Sequence, residues 1–240
     1  MSTAEPQQAR AISPSFVTKV FYAFALLALM SLCISVGGKW FGRSIALAGH
    51  TEDTTLREIV IGNNVISAPA NAIRFNRQRR DGVAVRLDLY LRWPELDGYS
   101  NVARSDFNHA GPAGRIIFLS FEERTMSRDM SGRLEPIYAS MLVRPGEPGL
   151  GDTMLYRFEE KSGYLNEALA VAADPDGGAF VARCLVGESA QESLAPCERD
   201  IHVGDNLSLS YRFPRDLLSN WAQLEEAIRA KAGSMLRTGN

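Results

Sequence analysis

The sequence predicts a mainly β domain, an antiparallel sandwich or open barrel, with a C-terminal amphipathic helix and one preceding transmembrane helix. Three observations carry this. One apolar run near the N-terminus is long enough to cross a bilayer. From Leu56 hydrophobicity alternates with a period of two, and from Pro214 it changes to steps of three and four.

The apolar run is Val20–Gly38, nineteen uncharged residues between Lys19 and Lys39, of which 15 of the first 17 are apolar. As a helix it measures about 28 Å, close to the thickness of a bilayer's hydrocarbon core. Trp40 and Phe41 suit the aromatic belt at the membrane interface. The run exceeds the core of a cleaved signal peptide, about 7–15 residues. The nearest A-x-A match past its end, Ala46-Leu47-Ala48, lies ten residues beyond Val36, and Leu32 occupies the place where a lipoprotein site at Cys33 needs a small residue. The expectation is a retained signal-anchor that meets the lipid bilayer through Val20–Gly38. Residues 1–18 then form a disordered tail, 19–38 the anchor, 39–55 a juxtamembrane linker and 56–240 one β-rich domain. Ser31 and Ser35, with Ala28 a turn earlier, make a small-x-x-x-small face that permits a homo-oligomer.

Charge is unevenly placed. Residues 1–49 carry +3, which leaves −5 for the rest of a chain whose total is −2. A mildly acidic domain lacks the basic footprint of general nucleic-acid binding. Positive residues flank both ends of the anchor, so they do not orient it. Cys184 and Cys197 lie on segments that read as neighbouring strands. A disulfide there closes a loop of about 14 residues, is worth ~3 kcal/mol, and implies an oxidising compartment. The expected location is a bacterial inner membrane, single-pass, with the domain in the periplasm.

The domain's elements follow from its alternation and its turns. Val83, Val85, Leu87, Leu89, Leu91 and Trp93 share one face of a long strand, with Arg86, Asp88, Tyr90 and Arg92 opposite. Arg115–Phe121 is apolar on nearly both faces and reads as a central strand. Further strands are expected at Pro136–Val143, Met154–Phe158, Phe180–Val186 and Leu207–Phe213. In the last of these Leu207, Leu209, Tyr211 and Phe213 face inward. Leu165–Ala173 suits a helix as well as a strand. Turns are marked by Gly62-Asn63-Asn64, Arg80-Asp81-Gly82 and Val203-Gly204-Asp205-Asn206. From Pro214 to Leu236, Leu217, Trp221, Leu224, Ile228, Ala232 and Met235 recur at helical steps and predict one packed helix.

Two surfaces are candidates for binding. Arg74, Arg77, Arg79 and Arg80 cluster at a turn, and arginine forks suit phosphate or carboxylate groups. Trp93 and Tyr99 end the longest strand as aromatics among polar groups, followed by the long loop Asn101–Gly114. Asp174-Pro175-Asp176-Gly177-Gly178 lacks the ligand spacing of a calcium loop and reads as a turn. His50, assigned to the linker, His109 and His202 follow no metal-ligand spacing. There is no G-x-S-x-G elbow and no phosphate-binding glycine pattern. The pairs Glu122-Glu123, Glu159-Glu160 and Glu225-Glu226 read as solvated charge. No cofactor, metal or catalytic residue is therefore expected. The expected role is a non-catalytic scaffold, accessory or binding subunit that engages an envelope protein partner. The alternatives are a membrane-tethered hydrolase acting on envelope substrates and a cytosol-facing membrane regulator.

Overall fold

A computed structural model describes residues 14–47, 49–108, 114–174 and 177–237. The chain divides into two compact units, Met1–Gly49 and His50–Asn240. The first holds helix α1, Pro14–Leu47, which begins inside the stretch expected to be tail and continues past Gly38 into the expected linker. The longest continuous series of described side chains in α1, Phe21–Ile34, is exposed throughout and covers about 21 Å of helix. Among the described residues no helix is long and apolar enough to cross a membrane.

The second unit is mainly β, with two sheets and a C-terminal helix. Strands β1 (Leu56–Ile61), β2 (Asn64–Pro69) and β3 (Gly82–Val83) form a three-stranded sheet ordered β2-β1-β3. β1 and β2 are antiparallel, whereas β1 and β3 run parallel. The β1–β2 turn uses Gly62 at φ +55°, a conformation that side chains with a Cβ rarely adopt. The second sheet holds β4 (Arg86–Arg92), β5 (Ile116–Glu123), β6 (Glu147–Pro148), β7 (Met154–Arg157), β8 (Glu167–Ala173), β9 (Ala179–Leu185), β10 (Cys197–Val203) and β11 (Leu207–Phe213). It is antiparallel throughout, in the order β4-β5-β11-β10-β9-β8-β7-β6. Short helices α2 (Arg104–Phe107) and α3 (Glu188–Glu192) interrupt loops, and α4 (Trp221–Met235) closes the chain.

The alternation read from the sequence sets the two faces of the large sheet. Leu87, Leu89 and Leu91, Ile117, Leu119 and Phe121, and Leu207, Leu209, Tyr211 and Phe213 all point to one side. There they meet Ile59, Ile61 and Ile66 of the small sheet and Trp221, Leu224, Ile228, Ala232 and Met235 of α4 in one core. A second, smaller cluster of Met130, Tyr138, Leu142, Phe158, Leu169 and Val181 lies on the opposite face of β8 and β9. Successive strand residues serve the two cores in turn: Ala170 and Ala172 join the large one, while Leu169 joins the small one with Val171 packed against it.

Three expectations need correction. Pro136–Val143 is not a strand but two short helical turns, Leu134–Tyr138 and Ala139–Met141. Leu134, Tyr138, Met141 and Leu142 recur at steps of three and four, and all serve the smaller cluster. The strand expected from Val83 begins at Arg86. Val83 pairs instead with β1 of the small sheet, and Val83 and Val85 are 87% and 89% exposed. The expected continuous helix from Pro214 is a 3-10 segment, Arg215–Asn220, followed by α4. Asn220, at φ −129° and ψ 39°, breaks the helix between them, so Leu218 rather than Leu217 is buried in the first part. The ambiguous Leu165–Ala173 resolves as β8.

The sheet has one weak seam. β10 and β9 pair only at Cys197↔Cys184 and Glu198↔Arg183, and then diverge. Cys184 and Cys197 form the expected disulfide at this junction. Beyond it the segment around Ser131 enters the gap: Met130 N–H donates to Asp200 C=O at 3.4 Å, and the Ser131 hydroxyl to Ala179 C=O at 2.6 Å.

Candidate functional site

The outward face of β4, β5, β11 and β10 forms a polar trough. Register places its side chains in three transverse rows. Arg86, Glu122, Ser208 and His202 make one row, and Asp88, Ser120, Ser210 and Asp200 the next. Tyr90, Phe118, Arg212, Glu198 and Arg183 make the third. Because Ser120 and Ser210 are the smallest side chains in the middle row, the surface is hollow there. Two adjoining depressions of 480 Å³ and 340 Å³ share Glu122, Glu198 and Ser210 as floor. Arg74 and the Glu192–Ala195 segment bound the first, and Met126, Arg133, Ile137, Tyr138 and Tyr164 bound the second.

The carboxylates of the floor all meet arginines. Arg86 Nε donates to Asp88 Oδ1 at 2.8 Å and Nη2 to the Ser120 hydroxyl at 2.7 Å, while Nη1 lies 3.5 Å from Glu122. Arg183 joins Glu198 at 3.2 Å and Glu167 at 3.4 Å, and Arg133 holds Asp200. Burial pushes the Asp88 carboxyl up, but the Ser120, Arg86 and Gln78 hydrogen bonds outweigh it and leave it below the usual range. Asp200 moves the other way, because burial exceeds the pull of Arg133. Each floor carboxylate thus lies against an arginine, with Asp88 and Glu122 sharing Arg86.

This pairing bears on catalysis. The second depression gathers His202 with Glu122, Glu198 and Asp200, the kind of arrangement a hydrolase needs. Among the described residues, however, His202 makes no side-chain hydrogen bond to any of them, and each carboxylate is committed to an arginine. No group of three or more metal-ligating side chains occurs among the described residues.

The residues singled out from the sequence fall in three places. Arg74 sits at the trough, its guanidinium 4.8 Å from the Phe118 ring and 5.1 Å from Phe75. Arg77 and Arg80 line a separate cleft beside β3, with Arg77 stacked 5.4 Å over Phe75. Arg79 turns inward and donates to the carbonyls of Ile73 at 3.0 Å and Arg74 at 3.4 Å, so it holds the turn.

Trp93 is half-buried against the main core, and Tyr99 is fully buried, so the exposed aromatic expected at Tyr99 is not found. Tyr99 stacks on His50 with ring centroids 4.6 Å apart, within a cluster that includes Tyr90 and Phe107. His50 Nδ1 lies 3.0 Å from the Tyr90 hydroxyl, which removes this histidine from the linker and packs it on the domain. His109 and the rest of residues 109–113 lie outside the described residues, as do Pro175 and Asp176 of the aspartate turn.

Ser120, Ser210 and Arg183 were not recognisable in advance as parts of one site. The alternation does show Ser208, Ser210 and Arg212 facing outward, but strand order alone brings them beside β5 and β10. Glu225 is a clearer omission: one of a pair read as solvated, it is buried and bound to Arg199.

The sequence matches no protein-family model. No curated protein matches it either. The fold does have solved counterparts. The structure is similar to Smlt3025, an immunity protein of the Stenotrophomonas maltophilia type IV secretion system, with TM-score 0.50 and 15% identity, covering 78% of this chain and 96% of that one. It also aligns with the Neisseria meningitidis iron-regulated outer membrane lipoprotein FrpD, with TM-score 0.41 and 8% identity over 77% of this chain and 95% of that one.

Proposed function

We propose that this chain is a non-catalytic binding subunit of the cell envelope, anchored by Val20–Gly38, whose β-rich domain lies outside the cytosol and holds a protein partner against its polar trough and the Arg74–Arg80 turn. The self-neutralised trough carries the reading. Its floor offers hydrogen-bonding groups and paired charges over a broad hollow, which suits complementarity to another protein surface better than bond-breaking. The continuous helix through an apolar run, with Phe21, Phe24 and Leu27 exposed at 67%, 68% and 59%, supports the anchor. The Cys184–Cys197 disulfide supports an oxidising side of the membrane. The likeness to Smlt3025 is one of fold, and to that extent supports the reading: the same architecture serves an immunity protein of a secretion system.

Photo-crosslinking tests the binding role. A photoreactive amino acid at Ser210, in the full-length protein in intact cells, should give one discrete protein adduct, and Ser120→Trp, which fills the hollow, should abolish it. Absence of any protein adduct from Ser210 and from Arg74 overturns the reading. External protease tests the placement: it should remove the domain in spheroplasts without lysis. Protection until lysis would assign the domain to the cytosol instead.

A further inference from the structure

We infer that the outer edge of β3 receives an extended, acidic segment of the partner protein by strand addition, an inference that rests on the binding role proposed above and names its mode. β3 is the last strand of the small sheet, with β1 on its inner side and no strand on its outer side among the described residues. The Ala84 N–H points inward to Val60 C=O at 2.9 Å. Alternation along the strand therefore turns the Val83 N–H and C=O toward the open side. Val83 and Val85 stand 87% and 89% exposed there, more than any other large hydrophobic of the described residues except Val102. Proteins blunt such an edge by keeping the strand very short, as β3 is, or with a proline, an inward charge or a lysine. Here the short edge carries two bare valines, Val83 and Val85.

Charge defines the occupant. A 380 Å³ cleft runs along this edge, lined by Arg77, Arg80 and Arg86 against Asp81 and Asp88. Asp88 is committed to Arg86 and Ser120, and Asp81 accepts the Glu58 N–H at 2.9 Å. Arg77 and Arg80 have no carboxylate partner among the described residues, and Arg77 only stacks on Phe75. An incoming strand would gain backbone hydrogen bonds at Val83, apolar contact at Val83 and Val85, and arginine forks for its acidic side chains. A second copy of this chain is disfavoured, because pairing two such edges brings Arg77 and Arg80 of both copies together.

The test uses the full-length protein. In intact cells a photoreactive residue at Val85 should give the same protein adduct as one at Ser210, and the crosslinked peptide, read by mass spectrometry, should be an extended run rich in Asp and Glu. Arg77→Glu with Arg80→Glu should cut the Val85 adduct roughly tenfold. In detergent micelles a synthetic octapeptide of alternating Glu and Val should bind, its Lys-Val counterpart should not, and N-methylation of alternate amides should abolish binding. An adduct from Ser210 or Arg74 but not Val85 overturns the strand-addition inference and leaves the binding role standing, whereas no adduct from any of the three positions removes both. Self-adducts, lipid adducts, a basic crosslinked segment, or equal binding of the two octapeptides each overturn the inference.

Discussion

Arg199 on β10 and Glu225 on α4 grip each other through two bonds, Nε to Oε2 at 2.9 Å and Nη2 to Oε1 at 3.0 Å, in the interior of the domain. Arg199 also donates to Val181 C=O at 2.9 Å and to the Ser131 hydroxyl at 2.8 Å, so it spans the gap where β9 and β10 part. The Tyr211 hydroxyl donates to Glu225, and Arg229 reaches the same carboxylate at 2.8 Å. The charged pair is satisfied on every side. Removing one member leaves the other charged and buried, which costs about 3–5 kcal/mol. Glu225→Ala should lower the unfolding free energy by that amount in urea titrations. Replacing both with leucine should be less damaging than the single change.

Acid should act on the same group. Burial raises the Glu225 carboxyl, but the Arg199 bonds and charge, the Tyr211 hydroxyl and Arg229 together bring it below its ordinary value. A carboxyl depressed in the folded state stabilises fully above its unfolded pKa of about 4.3, and that contribution is lost as pH falls through the folded value. Asp88 acts in the same direction, and Asp200, raised by burial, opposes both. Stability should therefore fall on acidification below about pH 4.3. Glu225→Gln should flatten that limb in denaturation curves taken across the acid range; an unchanged slope would mean Glu225 is not held by Arg199.

Trp221 begins α4 and anchors it. Its ring stacks on Phe180 at 4.8 Å and its indole N–H donates to Asp152 Oδ1 at 2.6 Å. Trp221→Ala should cost about 3–5 kcal/mol, as the loss of a large buried aromatic does. Trp221→Phe keeps the stack and loses only the hydrogen bond, so about 1 kcal/mol is expected. Equal effects of the two substitutions in thermal unfolding would show that the stack contributes nothing.

The disulfide reinforces the junction of β9 and β10. Cys184→Ser with Cys197→Ser should destabilise the domain by about 2–4 kcal/mol. Cys33 is the chain's remaining cysteine and is free. Denatured but unreduced protein should thus label at one thiol per chain by mass spectrometry, and at three after reduction. Three labels without reduction would place the domain in a reducing compartment.

The parts of the fold legible in the sequence are those where one local period decides. Leu207, Leu209, Tyr211 and Phe213 announce a half-buried strand, and Trp221, Leu224, Ile228 and Met235 a packed helix, because each pattern repeats within a few residues. Pro136–Val143 misleads because a short apolar run fits either period, and only its neighbours decide. Arg199 occupies an inward slot between Cys197 and Ile201, yet an arginine there reads as outward until Glu225 is seen 26 residues later in the chain. The trough was hidden for a different reason. Its floor is assembled from residues of four strands that alternate perfectly well alone and acquire meaning only through the β4-β5-β11-β10 order.

That order places the second depression directly over the place where β9 leaves β10. Its walls come from both sides: Ser208, Ser210 and Asp200 from one half of the sheet, Arg183 and Tyr164 from the other. A molecule seated across this joint would therefore touch both parts of the sheet at once, on the face opposite Arg199 and α4.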